Sequence, residues 1–145
     1  MAIKKQEFYE GAVLHRLARL GEIPGIRYNA PFFVFNDRLF VLIKYSTRTR
    51  SPWGFTFMPD EQVQLRVRAL EHFPVVIAMV CGSDGVAAIY YDAYLTIAAE
   101  RATALRVSCG RLHGKYYRVT GPDGHLGRKI APSEWHQILE PREEL

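Results

Sequence analysis

The stretch Arg38-Leu39-Phe40-Val41-Leu42-Ile43-Lys44-Tyr45-Ser46 decides the fold, because five consecutive apolar residues in it precede a lysine. A short run that is apolar at every position is typical of a β-strand covered on both faces, whereas a half-exposed strand alternates apolar with polar residues. Lys44 therefore stands near the end of a buried strand. The residues after it open a basic and aromatic segment that reaches Trp53, and we expect the working surface of the protein at this junction.

The composition predicts a single domain spanning residues 1–145. With 145 residues, of which 48% are hydrophobic, the chain is long enough to bury one core without disulfides or a structural metal. Lys and Arg exceed Asp and Glu by four, which is compatible with a polyanionic partner. Cys81 and Cys109 occur without a signal peptide, and no apolar run approaches the roughly 20 residues of a membrane span. We expect a soluble, cytoplasmic protein with reduced cysteines and no membrane partner.

The apolar patterns predict an α/β domain with a mixed central sheet flanked by helices. A first helix is expected over residues 3–20. Two apolar runs at 32–35 and 39–45 are separated by Asn36-Asp37, which is the chemistry of a tight hairpin turn with both central residues at positive φ. A second hairpin is expected over 74–91, and its first strand is again apolar throughout, as in a central strand.

The remaining elements complete this fold. A helix over residues 60–73 is expected to begin at Asp60 as its cap and to bury Val63, Val67, Leu70 and Phe73. Short strand candidates separated by Gly-rich turns then predict a C-terminal β-meander laid against the main sheet. These strands fall at 104–109, 115–120 and 125–130, and a short final helix is expected over 133–139.

Two carboxylates stand out as candidate functional groups. On a helical projection Glu10 falls in the middle of the apolar side, where a carboxylate must be paired or border a site, because burying it alone is costly. The alternative is a glutamate at the edge of the core that bonds a backbone amide or an arginine. Asp37 has a purely local explanation as a turn residue.

In the order of these elements the chain resembles the PD-(D/E)XK, or restriction-endonuclease-like, nuclease superfamily, and within it the archaeal Holliday junction resolvases. The resemblance covers about residues 4–91 and leaves 92–140 as an extension packed on this core. It implies catalytic roles for Glu10, Asp37 and Lys44. Glu10 and Asp37 would hold Mg²⁺, and the lysine would orient the attacking water in phosphodiester hydrolysis.

The chain departs from the superfamily motif at one position. The acid-x-lysine of the family reads Leu42-Ile43-Lys44 here, and leucine cannot bind a metal. Some members of the superfamily place the missing acid on the next helix, where Asp60 and Glu61 are available. The helical projection, however, points Glu61 away from the sheet. The sequence therefore leaves open whether the protein is an active endonuclease or a catalytically degenerate relative.

Nucleic-acid binding does not require the missing catalytic acid, and DNA is the expected partner. Lys and Arg give salt-sensitive affinity for phosphates, and aromatic rings stack on unpaired bases. The resemblance adds Gln62, which corresponds to a polar residue near the start of the second helix. The residues expected to contact nucleic acid are Arg48, Arg50, Trp53, Gln62, Lys115 and Arg118.

A function of another class is also compatible with the sequence. The chain can instead be a non-enzymatic interaction or assembly module that uses an exposed part of residues 45–57. The basic residues are then ordinary solvated surface, and the aromatic residues are either core or interface. The oligomeric state is open, and a homo-oligomer is among the possibilities.

Overall fold

A computed structural model describes residues 2–19, 25–112 and 114–138 of the chain. Its elements in chain order are α1 (Lys5–Ala18), β1 (Ile26–Asn29), β2 (Phe32–Phe35), β3 (Leu39–Ser46), β4 (Trp53–Phe57), α2 (Pro59–Leu70), β5 (Val75–Cys81), β6 (Gly85–Tyr90), α3 (Tyr91–Ile97), β7 (Leu105–Gly110), β8 (Arg118–Gly121), β9 (Gly124–His125) and a 3₁₀ helix (Pro132–Gln137). The expected ends of the first and last helices, Leu20 and Leu139, lie outside the described residues.

The main sheet is mixed, as the sequence predicts. Its strand order is β1-β2-β3-β5-β6, with β3 and β5 parallel and the other neighbouring strands antiparallel. The predicted hairpin is confirmed, since Asn36 and Asp37 have φ values of 55° and 56°. β3 lies in the middle of the sheet, and all five residues of its apolar run are buried.

The two faces of the main sheet carry separate cores. Because side chains alternate along a strand, successive residues of β3 enter opposite layers. Val41 and Ile43 pack with residues of α1 and with Trp135 of the 3₁₀ helix. Phe40 and Leu42 pack on the other side with the second sheet, α2 and α3. The strand is therefore covered on both faces, which is the reason for its uniformly apolar sequence.

The second sheet has the order β4-β7-β8-β9 and contains the predicted meander. β4 joins it by pairing antiparallel with β7, so that Trp53 lies opposite Cys109. The strand expected over 125–130 is reduced to β9 and an isolated bridge between Tyr117 and Ile130. The final helix is a 3₁₀ helix whose Trp135 is fully buried.

Helix α2 differs from its prediction in the face that it buries. Its buried residues are Gln62 and Leu65, whereas Val63 and Val67 are 39% and 42% exposed. Asp60 is also not the N-cap of the helix. The N-cap is Met58, whose backbone N–H donates to the Glu61 carboxylate at 3.0 Å. The projection was wrong because it followed apolar spacing alone, while a buried amide at Gln62 is stabilised by hydrogen bonds that spacing does not reveal.

None of the helices in the described part of the chain combines the length and the apolar character that crossing a membrane requires.

Candidate nucleic-acid interface

The candidate interface lies where the two parallel strands end. In open α/β sheets, ligands bind outside the carboxyl ends of parallel strands, where the following loops leave a crevice. β3 and β5 end together, with Ser46 paired to Cys81, and we call this side of the main sheet the carboxyl edge. A cleft of about 630 Å³ opens here between the loop 47–52, the turn after β5 and the segment after β7.

The loop 47–52 is held down on the end of β5 by its backbone. The indole N–H of Trp53 donates a hydrogen bond to the carbonyl oxygen of Arg48 at 2.8 Å. The same carbonyl passes so close over Gly82 that a Cβ atom on this residue would clash with it. Gly82 also has a φ of +55°, which favours glycine. Glycine is thus required at this position for the loop 47–52 to pack against the carboxyl edge.

A polar network joins the three segments around the cleft. The Arg111 guanidinium donates to Asp84 Oδ2 at 2.7 Å, and the Tyr117 hydroxyl donates to the same oxygen at 2.6 Å. Arg111 also lies over the ring of Tyr117, 5.2 Å from its centroid. The backbone N–H of Arg111 donates to the Ser51 hydroxyl at 2.8 Å, and its Nε donates to the Lys115 carbonyl at 2.6 Å. The walls of the cleft are therefore fixed relative to one another.

The network sets the charge of its members. Partial burial alone would raise the pKa of Asp84, but the hydrogen bonds from Tyr117 and Arg111 outweigh it and hold that pKa below its usual value. Burial, together with the hydrogen bond to Asp84, raises the pKa of Tyr117. The hydrogen bond to Asp84 likewise raises the pKa of Arg111. At neutral pH the network is a carboxylate, a neutral phenol and a cation.

Four basic side chains on the segments that border the cleft remain available to a ligand, and one of them, Arg50, lines it. Arg48 and Arg50 project from the loop 47–52, and Lys115 and Arg118 project from the segment after β7 and the start of β8; all four residues are exposed. No hydrogen bond or ion pair of these four side chains to another described residue is present. The exposed ring of Tyr116, 57% accessible, lies next to Lys115 in the chain. Their positive charge is therefore not neutralised within the described structure.

Lys44 does not belong to this group of unpaired cations, because its ammonium forms an ion pair with Glu61. Its ammonium lies 2.8 and 3.1 Å from the two oxygens of Glu61, and the two side chains are 19% and 20% exposed. The ammonium also lies 5.2 Å from the centroid of the Phe57 ring. The expectation that Glu61 points away from the sheet is wrong, since its position in the first turn of α2 lets the carboxylate meet the end of β3.

Asp37 lies at the opposite end of β3 from Lys44. The strand separates the two residues by at least five steps of about 3.3 Å, or roughly 17 Å. The Asp37 side chain is 84% exposed and accepts a hydrogen bond from Arg27 at 3.0 Å. The hairpin therefore does not bring the aspartate and the lysine together, and the local explanation of Asp37 as a turn residue accounts for its position.

Glu10 lies on the opposite face of the sheet from Lys44. Tyr9, its neighbour in α1, stacks on Tyr45 with a centroid separation of 4.8 Å, whereas Lys44 projects into the other layer. Partial burial raises the pKa of Glu10, and the Gln6 amide donates to its carboxylate at 3.1 Å. The glutamate is thus at the edge of the core, with a partner from its own helix.

The residues expected to hold magnesium therefore do not fit that ion. Mg²⁺ requires near-octahedral oxygen coordination, usually with carboxylates that converge on one point. Glu10 follows Tyr9, which stacks on Tyr45 near the end of β3, whereas Asp37 lies in the turn before the start of that strand. Across residues 2–19, 25–112 and 114–138, no three His, Cys, Asp or Glu side chains are grouped as a metal would require.

Two of the residues expected to contact nucleic acid are buried. Trp53 is 3% exposed and belongs to the core between the sheets. Gln62 is 1% exposed, and its amide nitrogen donates to the carbonyls of Phe57 and Thr103, each at 3.0 Å. Its amide oxygen accepts the backbone N–H of Arg101 at 2.9 Å. Both residues serve the fold, since their side chains are buried and their polar atoms are hydrogen-bonded within the protein.

The sequence does not predict the network that Asp84, Arg111 and Tyr117 form. Asp84 stands in a Gly-Ser-Asp-Gly stretch that reads simply as a turn, and the other two are members of a scattered basic and aromatic series. The only sequence signal is that each residue falls in or beside a turn cluster, and this does not indicate which turns meet.

Comparison with known proteins gives no further assignment: no protein-family model matches the chain, and no curated protein or solved structure shows significant similarity to it.

Proposed function

We propose that this protein binds nucleic acid at the carboxyl edge, through the basic cleft between the loop 47–52 and the segment after β7. The observation that carries the proposal is a set of four exposed cations, Arg48, Arg50, Lys115 and Arg118, which have no ion-pair partner among the described residues. Arg50 lines the cleft of about 630 Å³, and the other three belong to the segments that border it. Basic side chains that neutralise phosphates supply most of the affinity in sequence-independent nucleic-acid binding.

An exposed aromatic ring in the segment after β7 favours an unpaired strand of DNA over a duplex. The exposed Tyr116 offers a ring on which a base can stack, and such stacking requires an unpaired base. The Asp84 carboxylate is neutralised by Arg111, so it does not repel a phosphate strongly. The walls fixed by this network hold the basic side chains at one site, which lowers the entropy that is lost on binding.

The proposal concerns binding and does not assign hydrolysis to Glu10, Asp37 and Lys44. These three residues are placed on two faces and at two ends of the main sheet. A restriction-endonuclease-like ancestry is compatible with the mixed sheet and with Lys44 near a strand end. In such a relative the carboxyl edge would retain the binding surface of a nuclease without its metal site.

The test is a binding titration of a short fluorescent oligonucleotide, single-stranded and duplex, followed by fluorescence anisotropy at low salt. The double variant Arg48→Ala/Arg50→Ala is expected to bind the single strand about tenfold or more weakly, because each lost charge-assisted contact costs about 1 kcal/mol. A preference of the intact protein for the single strand is expected from Tyr116, and Tyr116→Ala should reduce that preference.

A matched control is available at the other end of the sheet. Arg27→Ala/Arg38→Ala also removes two exposed arginine charges, but it does so beside the turn between β2 and β3. This variant should bind as the unmodified protein does. Absence of binding by the unmodified protein, or equal loss in the two double variants, would contradict a binding site at the carboxyl edge.

A second candidate function, protein interaction, is favoured by the outer surface of α2. Val63, Val67 and Leu70 are spaced i, i+4, i+7 and are 39%, 42% and 66% exposed, so they form an apolar stripe. The segment 45–57, suggested by the sequence for this role, supplies no such surface because Trp53 and Phe55 are buried. Association through α2 should be nearly independent of salt, and sedimentation velocity of Val67→Asp beside the unmodified protein tests it.

A further inference from the structure

The two cysteines of the chain meet in the core between the sheets. Cys81 is the last residue of β5, and Cys109 lies in β7, opposite Trp53. Both thiols are free, and both residues have no exposed surface. The nearby Cys81 side chain, together with burial, raises the pKa of the Cys109 thiol. The two thiols come from different sheets and are neighbours in the same core cluster.

Met79 completes this sulfur cluster and fixes its geometry. The Cys81 thiol lies 3.6 Å from the Met79 carbonyl oxygen, and the Cys109 thiol lies 3.8 Å from the Met79 sulfur. The cluster thus holds each thiol against the same residue of β5. An apolar core around the cluster keeps the two thiols as neighbours whenever the protein is folded.

We propose that Cys81 and Cys109 are an oxidisable pair, and that a peroxide converts them to an intramolecular disulfide which fastens β5 to β7 beneath the carboxyl edge. This inference does not rest on the proposed function. A disulfide needs a sulfur–sulfur distance of about 2.0 Å, so its formation draws β5 and β7 together at the two cysteines.

The oxidation is balanced with one peroxide molecule. Hydrogen peroxide converts one thiol to a sulfenic acid and releases water, as its O–O bond breaks and an S–O bond forms. The second thiol then attacks the sulfenic sulfur, an S–S bond forms, the S–O bond breaks and a second water leaves. Two thiols and one peroxide yield one disulfide and two waters.

Access to the pair passes through the cleft. The loop 47–52 covers Gly82, the residue that follows Cys81, and is held there by the bond from Trp53 to the Arg48 carbonyl. Opening of this loop exposes the end of β5 without unfolding either sheet. The disulfide then joins positions next to Gly82 and Gly110, so that it restrains the floor of the cleft.

The test is peptide mapping of the folded protein after treatment with hydrogen peroxide, alkylation of the remaining thiols and digestion with trypsin. Cleavage after arginine places Cys81 in the peptide 69–101 and Cys109 in the peptide 107–111. We expect these two peptides to be recovered linked from the folded protein and to separate on reduction. The oxidised protein should have a Tm about 5–10 °C higher than the reduced protein.

Two single variants control for other oxidation products. In Cys81→Ser and in Cys109→Ser no linked peptide can form within one chain, and the Tm should not rise on oxidation; circular dichroism establishes that each variant is folded. Recovery of both peptides unlinked after oxidation of the folded protein, or linkage only in urea, would overturn the proposal.

Discussion

The two ends of β3 differ in how their charged residues are used. At the turn before the strand, Asp37 and Arg27 form an ion pair whose side chains are 84% and 54% exposed. Near the other end, Lys44 and Glu61 form a pair whose side chains are only one fifth exposed, at 19% and 20%. Beyond it, Asp84, Arg111 and Tyr117 connect three separate segments.

The difference shows that tertiary packing fixes the polar side chains at one end of β3, the carboxyl edge. An exposed pair contributes little to stability, because water and salt screen it, whereas a partly buried pair is costly to break on one side only. The turn end is therefore locally determined and tolerant of change. The carboxyl edge instead depends on contacts between residues far apart in the chain.

The largest effect is expected for Gly82→Ala at the carboxyl edge. The substitution should lower the free energy of unfolding by about 3 kcal/mol, because the positive φ costs about 1 kcal/mol and overpacking against the Arg48 carbonyl adds about 2 kcal/mol. Gly114→Ala is the matched control, since Gly114 has a φ of +73° and a Cβ atom there would meet no other atom within 4 Å. It should lose only about 1 kcal/mol. Urea unfolding that gives equal losses would show that the loop does not seat on Gly82.

Lys44→Met should destabilise the protein by about 2 kcal/mol, because it leaves the carboxylate of Glu61 partly buried without a cation. The double variant Lys44→Met/Glu61→Gln should recover most of this loss, since the amide can still accept the Met58 N–H. Chemical denaturation of the four members of this cycle measures the coupling. If the losses are additive and the double variant recovers nothing, Lys44 and Glu61 contribute as little to stability through their pairing as Arg27 and Asp37 do.

Asp84→Asn should cost about 1 kcal/mol at pH 7, a reduced value because the site is partly exposed. The folded protein holds the pKa of Asp84 below its usual value. The stabilisation is therefore complete above the unfolded-state pKa of about 3.9 and is lost as the pH falls through the lower, folded-state pKa. The stability difference between the two proteins should shrink below about pH 4. A difference that stays constant from about pH 7 to about pH 3 would contradict an ionised Asp84 in the network.

The smallest effect is expected at the turn end. Arg27→Ala should change the free energy of unfolding by less than about 0.5 kcal/mol, because its pair with Asp37 is exposed. Thermal unfolding at low and high salt measures it. A loss comparable to that of Lys44→Met would abolish the distinction between the two ends of the strand.

The sequence predicts the main sheet because local pattern suffices for it. The apolar run before Lys44 requires cover on both faces, and Asn36-Asp37 has the chemistry of its turn. Gln62 and Glu61 were misplaced because their partners are not local: Gln62 binds the Thr103 carbonyl, 41 residues away. Asp84 likewise meets Tyr117 across 33 residues. Which turns share an edge follows from the packing of two sheets, and periodicity carries no information on it.

The salt dependence of oligonucleotide binding tests the central proposal most directly. Each phosphate neutralised on a single strand contributes about 0.7 to the slope of log K against log salt concentration. Removing Arg48 and Arg50 should therefore reduce that slope by about 1.4, while Arg27→Ala/Arg38→Ala leaves it unchanged. Equal slopes for the unmodified protein and the Arg48→Ala/Arg50→Ala variant would contradict a phosphate-binding role for the carboxyl edge.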